Sequence, residues 1–154
     1  MYYEDYRVGQ IARLGTRAFS REAILAFGRA YDPRVLVRAE AGAARLAASG
    51  LHVACEAMRA IIDWREGVQR ERIAHGEPRP PFGLSPGLRA LRWPHPVYED
   101  DSVAFTLTTV GLRETRKPHL GLLTNEVVGL NEDGVETLSF TSMVLVPRRD
   151  IRRR

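Results

Sequence analysis

Between Gly67 and Pro86 the chain carries Gly76, Pro78, Pro80, Pro81 and Gly83, a density of glycine and proline that predicts one long loop without regular structure. The hydrophobic rhythm differs on its two sides. Before it, apolar residues recur at helical spacing; after it, they alternate with period two. Helices gathered in one half and strands in the other point to an α+β fold rather than alternating βαβ units.

On the helical side, Ser20 is placed to cap a first helix, with Glu22 in the first turn where the helix dipole favours an anion. Ile24, Phe27, Gly28 and Tyr31 follow at helical spacing, and Asp32-Pro33 ends the run because the residue before a proline avoids the α region. A second helix is expected over 43–62. Ala43, Leu46, Ala47, Gly50, Leu51, Ala54, Met58, Ile61 and Ile62 form its apolar stripe, with Arg45, Glu56, Arg59 and Asp63 mostly off it. So many small residues imply that something packs closely against it.

On the strand side, Val103, Phe105, Leu107 and Thr109 share one face of a strand. Residues 120–130 and 135–146 form two more, joined by Asn131-Glu132-Asp133-Gly134, whose Asp-Gly is a hairpin signal. Residues 88–97 suit a strand confined by Pro94 and Pro96 to an edge or a bulge, and residues 6–14 add a fifth. An antiparallel sheet of this kind needs a cover on its apolar face, and the small-residue helix is the available one.

Composition excludes several classes. With 154 residues the chain has the size of one domain, and 44% hydrophobic residues against 27% charged is a globular balance. One cysteine, Cys55, cannot build a disulfide framework and is expected as a small buried side chain. Neither a signal-peptide pattern nor an apolar run of about 20 residues is visible, so a cytoplasmic protein without membrane contact is expected. The net charge of +4 is concentrated at 148–154; without the five arginines there it falls to about −1. Such a tail reads as a solvated end beyond a domain of residues 1–147, with contact to the phosphates of a nucleotide-bearing ligand as the second reading. Nucleic-acid binding ranks last, since no aromatics interleave with the basic residues. Metal-ligand spacing and phosphate-binding glycine loops are also missing, so no metal or cofactor is expected.

Five segments, taken in order, resemble the MaoC-like dehydratases and (R)-specific enoyl-CoA hydratases. These are Phe27-Gly28-Arg29-Ala30-Tyr31-Asp32-Pro33, Ala48-Ser49-Gly50-Leu51-His52, Ser85 to Trp93, Pro96 to Asp101, and Leu138-Ser139-Phe140-Thr141 followed by Val144 to Arg149. The resemblance covers nearly the whole chain. It implies a single hot-dog domain, a long central helix wrapped by an antiparallel sheet, usually paired as a homodimer or a hot-dog heterodimer. It also implies an acyl thioester as substrate, on coenzyme A or a carrier protein. Water is added or removed across a C=C conjugated to the thioester, with no cofactor beyond the carrier itself. In that family an Asp and a His five residues later activate the water, while a backbone N–H at the start of the central helix steadies charge on the thioester oxygen.

This sequence keeps Asp32 but has Val37 where the family histidine stands, and the stretch from Asp32 to His52 is several residues short of the family pattern. Of the four histidines, His75, His95 and His119 read as surface residues beside prolines or in the loop. His52 is either a partly buried helix residue or the partner of Asp32 about a shared water. Asp32 itself is either the surviving base or a turn residue bonding backbone N–H groups. Ser49, Gly50 and Val37 are the expected substrate contacts. Three functions follow. The leading one is a hydratase or dehydratase with a degenerate Asp32/His52 site. A catalytically silent, thioester-binding partner half comes next. The third is a thioesterase, which would need Glu56 or Asp63 as its carboxylate.

Overall fold

The computed structural model describes residues 1–79, 81 and 83–149. The elements run β1 (Ile11–Ala18), α1 (Arg21–Tyr31), α2 (Arg34–Glu40), α3 (Gly50–Ala74), β2 (Leu84–Arg92), β3 (Ser102–Glu114), β4 (Leu120–Asn131) and β5 (Glu136–Pro147), preceded by a single 3-10 turn at Tyr3–Asp5. All five strands pair antiparallel in one sheet of order β1-β3-β4-β5-β2. The sheet curls around α3, which is the hot-dog arrangement expected from the sequence.

Its core is what the two periodicities dictate. Val103, Phe105 and Leu107 of β3 and Leu123 and Val127 of β4 alternate inward, and Val53, Ala57, Ala60 and Ile61 of α3 meet that face. Small side chains on α3 let the helix lie close to the sheet, and Phe19, Phe105 and Phe140 fill the volume left over. The hairpin signal is met at Gly134, whose φ of +75° few other residues adopt at low cost. There the Asn131 carboxamide oxygen accepts from the backbone N–H groups of Asp133 and Val135.

Several boundaries differ from expectation. The long loop is shorter, because α3 continues through Gly67 to Ala74 and β2 begins at Leu84. A lone helical glycine costs only about 1 kcal/mol, less than the packing of the turns around it. The stop comes at His75-Gly76, where Gly76 takes φ +77° and its N–H bonds to the Ile73 carbonyl, just before Pro78. Pro80 of that loop lies outside the described residues.

At its other end α3 starts at Gly50, not Ala43. The Ala48 N–H donates to the Val97 carbonyl at 2.8 Å and the Glu99 N–H to the Leu46 carbonyl at 2.8 Å, so this stretch is spent on pairing with residues 97–99 rather than on helix. Residues 34–40, for which no regular element was expected, form the short α2. Pro33 starts it with a helical backbone, and Gly28 of α1 lets it dock, since a Cβ there would meet the Val35 Cβ at 3.0 Å. Strand β2 lies at the sheet edge, as expected, but it takes in Pro86 and stops short of Pro94 and Pro96.

The basic tail is not wholly solvated. Arg148 bonds Glu4 and, at 3.0 Å, Glu114, and it lies 5.3 Å over the Tyr3 ring. Arg149 pairs with Asp5, and its backbone N–H donates to Glu4 at 3.0 Å. These two arginines tie the start of the chain to the end of β5, while Asp150–Arg154 lie outside the described residues.

Candidate functional site

Helix α1, helix α2 and the start of α3 surround a cleft of about 290 Å³, into which Asp32, Arg34, Arg38, Ser49, Gly50 and Trp93 project. The local sequence explains each placement. Ser20 caps α1, its hydroxyl accepting from the Ala23 N–H at 3.2 Å, and Asp32 closes the other end of that helix with its own N–H bonded to the Gly28 carbonyl. Pro33 then turns the chain into α2, which puts Arg34 back over Asp32. The backbone pairing of 46–48 with 97–99 delivers Ser49 and Gly50 to the opposite wall.

Asp32 is 8% exposed, and a single guanidinium takes both of its oxygens: Arg34 Nε donates to Oδ1 at 2.8 Å and Nη2 to Oδ2 at 3.1 Å. That fork is a strong charge-assisted geometry. Arg34, and after it the Ser49 hydroxyl, hold the Asp32 carboxyl at a pKa of about 2 against the opposing effect of burial. Ser49 stands at the N-cap of α3 without bonding its own helix, so its hydroxyl is left for Asp32 and the first-turn N–H groups of α3 have no side-chain cap. The ring of Trp93 packs on Gly50.

His52 lies elsewhere. Its ring stacks on Phe27 with centroids 4.7 Å apart and 7° between planes, and meets the edge of Phe19 at 5.2 Å. It is 5% exposed, Nδ1 is buried with no hydrogen-bond partner among the described residues, and Nε2 stands 4.0 Å from Glu56 Oε1. Burial, partly offset by Glu56, lowers its pKa, so the imidazole is neutral near pH 7. The structure therefore joins Asp32, Ser49 and Gly50 and leaves His52 inside an aromatic pocket. Helical geometry explains the separation: Gly50 and His52 are two residues apart, and i, i+2 positions do not face the same way.

Val37 sits on α2, 64% exposed, and does not line the cleft. Its buried neighbour Val35 packs under Gly28 rather than over Asp32. Glu56 and Asp63, the carboxylates a thioesterase would need, are engaged by arginine: Arg17 Nε is 3.8 Å from Glu56, and Asp63 holds Arg17 at 2.5 Å and Arg59 at 3.0 Å. Cys55, expected inside, is exposed, because Val53, Ala54 and Ala57 define the buried stripe and residue 55 falls off it. Sequence reasoning missed Arg34 and Trp93. Arg34 carries only the weak signal of a guanidinium two residues from a carboxylate, and Trp93 meets Gly50 from a distant part of the chain, near the pairing of Ala47 with Tyr98. Among the described residues no three or more His, Cys, Asp or Glu gather as a metal site, and no helix is long and apolar enough to cross a membrane.

No family model matches the chain. A mesaconyl-CoA hydratase of Cereibacter sphaeroides is 27% identical over 97% of this chain, which spans 42% of that relative's length. Among solved structures, a MaoC-like dehydratase from Rhodospirillum rubrum superposes with a TM-score of 0.77 at 24% identity, covering 98% of this chain and 99% of that one. A complex from Mycobacterium tuberculosis described as a 3R-hydroxyacyl-ACP dehydratase gives a TM-score of 0.63 at 17% identity, covering 90% of this chain and 96% of that one. The fold is that of the hot-dog dehydratases, in agreement with the resemblance read from the sequence.

Proposed function

We propose that this chain is a MaoC-type hot-dog subunit of an acyl-thioester hydratase or dehydratase. It binds the thioester, and a second hot-dog domain carries the proton chemistry. The observation behind this reading is the state of Asp32. A general base works best with a pKa near the working pH and within reach of the water it activates. Asp32 has a pKa of about 2, has both oxygens on Arg34, and has no histidine beside it among the described residues.

What remains in the cleft suits binding. The uncapped first turn of a 25-residue helix offers N–H donors and a favourable dipole to a thioester oxygen. Arg34 and Arg38 line the same opening, which suits the phosphates of coenzyme A or of a carrier-protein arm. Trp93 offers an aromatic surface beside Gly50. The division into two halves is supported by the 42% span of the hydratase relative and by the likeness to a dehydratase solved as a complex.

The test is a panel of trans-2-enoyl-CoA esters of rising chain length, followed by loss of the conjugated absorbance, with saturated acyl-CoA binding measured by calorimetry in parallel. Binding without turnover is expected, with affinity falling in Arg34→Gln and Arg38→Gln. Hydration that disappears in Asp32→Asn would instead make the chain a self-sufficient hydratase. No binding of any thioester would end both readings.

A further inference from the structure

Asp32 stands where three helices meet. Its backbone closes α1, its carboxyl takes the Arg34 fork from α2, and the Ser49 hydroxyl reaches the same carboxyl from the N-cap of α3. Asp32 and Ser49 are buried, while the Arg34 side chain is 80% exposed. A long exposed cation is ordinarily mobile, and holding it still costs side-chain entropy that an exposed ion pair barely returns. Here it is nonetheless held by two bonds at 2.8 and 3.1 Å. The fork uses Nε–H and one N–H of Nη2. That leaves three of the five guanidinium N–H groups without a partner among the described residues.

Arg38 follows four residues on, on the same face of α2, and lines the same cleft without an ion pair among the described residues. Two like charges at this spacing weaken a helix rather than support it. The pair therefore does nothing for α2 itself and is arranged to face a third, anionic group. Asp32 cancels one of the two positive charges, so a purely Coulombic account makes it a handicap for an anion. Geometry argues the other way. A phosphate is met best by a planar fork of fixed direction, and a guanidinium already ordered by Asp32 gives up little more freedom when the anion arrives. The charge lost at an exposed group is screened by salt, so the ordering outweighs it.

We propose that Asp32 is a positioning residue: it fixes the Arg34 guanidinium relative to Ser49 and Gly50, so that Arg34 and Arg38 meet a phosphate on the carrier arm of a thioester bound in the cleft. The inference rests on the thioester reading of the cleft and gives the carboxylate a role other than that of a base. The phosphate is either that of the phosphopantetheine arm, common to coenzyme A and carrier proteins, or one on the nucleotide of coenzyme A alone.

Calorimetry with butyryl-pantetheine, butyryl-phosphopantetheine and butyryl-CoA separates the parts. Asp32→Asn is expected to bind butyryl-CoA about fivefold more weakly than the parent, the order of what fixing one long side chain is worth, and butyryl-pantetheine equally well. Arg34→Lys keeps the charge without the fork and leaves the buried carboxyl in place. It should show the same phosphate-dependent loss even where Asp32→Asn folds poorly. In an Arg34→Gln background, Asp32→Asn should change butyryl-CoA affinity no further, a coupling that a general loss of structure does not produce. A loss already present with butyryl-phosphopantetheine assigns the contact to the arm, and one confined to butyryl-CoA assigns it to the nucleotide. Tighter binding of butyryl-CoA by Asp32→Asn, an equal loss for butyryl-pantetheine in both variants, or additive effects of Asp32→Asn and Arg34→Gln overturns the proposal and leaves the thioester reading standing. A parent that binds none of the three ends that reading, and this inference with it.

Discussion

Trp93 sits against Gly50 so closely that a Cβ on residue 50 would fall 2.9 Å from Cδ2 and Cε2 of the indole. Real Cβ atoms do not come this near a ring, so Gly50→Ala must move Trp93, the start of α3, or both. Trp93 is 41% exposed and can swing outward, which keeps the cost at the lower end of overpacking, about 1 kcal/mol, or a fall of some 2–4 °C in Tm. A shift of Trp93 emission to longer wavelength should accompany it. The double variant with Trp93→Ala is expected to lose little more than Trp93→Ala alone, a coupling that a thermodynamic cycle measures. Full additivity would mean that the indole does not rest on this glycine.

Arg34 controls the titration of Asp32. In Arg34→Gln the carboxyl loses its largest stabilising partner, and its pKa should rise from about 2 towards the ordinary aspartate range near 3.9, with the Ser49 hydroxyl holding back part of the change. Carboxyl-carbon NMR of Asp32 across pH 1.5–6 reads this directly. The sign for stability follows. A carboxylate whose folded pKa is depressed contributes stability that is present above its unfolded pKa and is lost as pH falls through the folded one. Arg34→Gln should therefore flatten the acid limb of the stability curve between about pH 4 and 2. Arg34 is 80% exposed, so water screens the pair and the loss at pH 7 is small.

The periodic parts of this fold were legible, and the parts set by distant pairing were not. Val103, Phe105, Leu107 and Thr109 face inward as their alternation requires, and Ser20 caps α1 as its position before Arg21-Glu22 suggests. The limits of α3 were misread for two physical reasons. Its start is fixed by hydrogen bonds from 46–48 to residues 97–99, which no local pattern reveals. Its end was visible in the Gly76 and Pro78 pair but was masked by giving Gly67 the weight of a helix breaker. At the site, Asp32, Ser49 and Gly50 line one cleft. His52 was legible as a residue of the first turns of α3 but not as one that faces Phe19 and Phe27, since two residues of offset turn it some 200° about the axis.

The Asp5 carboxylate gathers the start of the chain. It accepts from the Tyr2 N–H at 2.8 Å and pairs with Arg72 at 2.9 Å and with Arg149. Burial pushes its pKa up, and the Tyr2 N–H together with the two arginines outweighs that and lowers it. Asp5→Ala leaves Arg72, among the described residues, with Glu77 alone and loosens the tie between the 3-10 turn and the end of β5. A loss of about 1–3 kcal/mol is expected, with faster amide exchange at Tyr3–Tyr6 and Arg148. Asp5→Asn should recover part of it by keeping the Tyr2 bond. Exchange unchanged in Asp5→Ala would show that apolar contacts of Tyr3 and Tyr6 hold this segment without the carboxylate.

His52 supplies the opposite test, a buried base that the fold keeps neutral. Burial lowers its pKa, the nearby Glu56 opposes this, and Nδ1 makes no bond among the described residues. When the folded pKa of a histidine lies below the unfolded value near 6.5, the unfolded chain takes up the proton first. Stability is then fully present above about pH 6.5 and drains away as pH falls towards the folded pKa. His52→Leu removes the titration and keeps the contact with Phe19 and Phe27, so the variant should match or exceed the parent at pH 7 and hold that stability down to pH 5. Denaturant midpoints at the two pH values decide it. If His52 instead acts with Asp32 on a shared water, any thioester hydration by the chain will vanish in His52→Leu. A flat stability profile with thioester binding in the cleft intact places His52 in the scaffold alone.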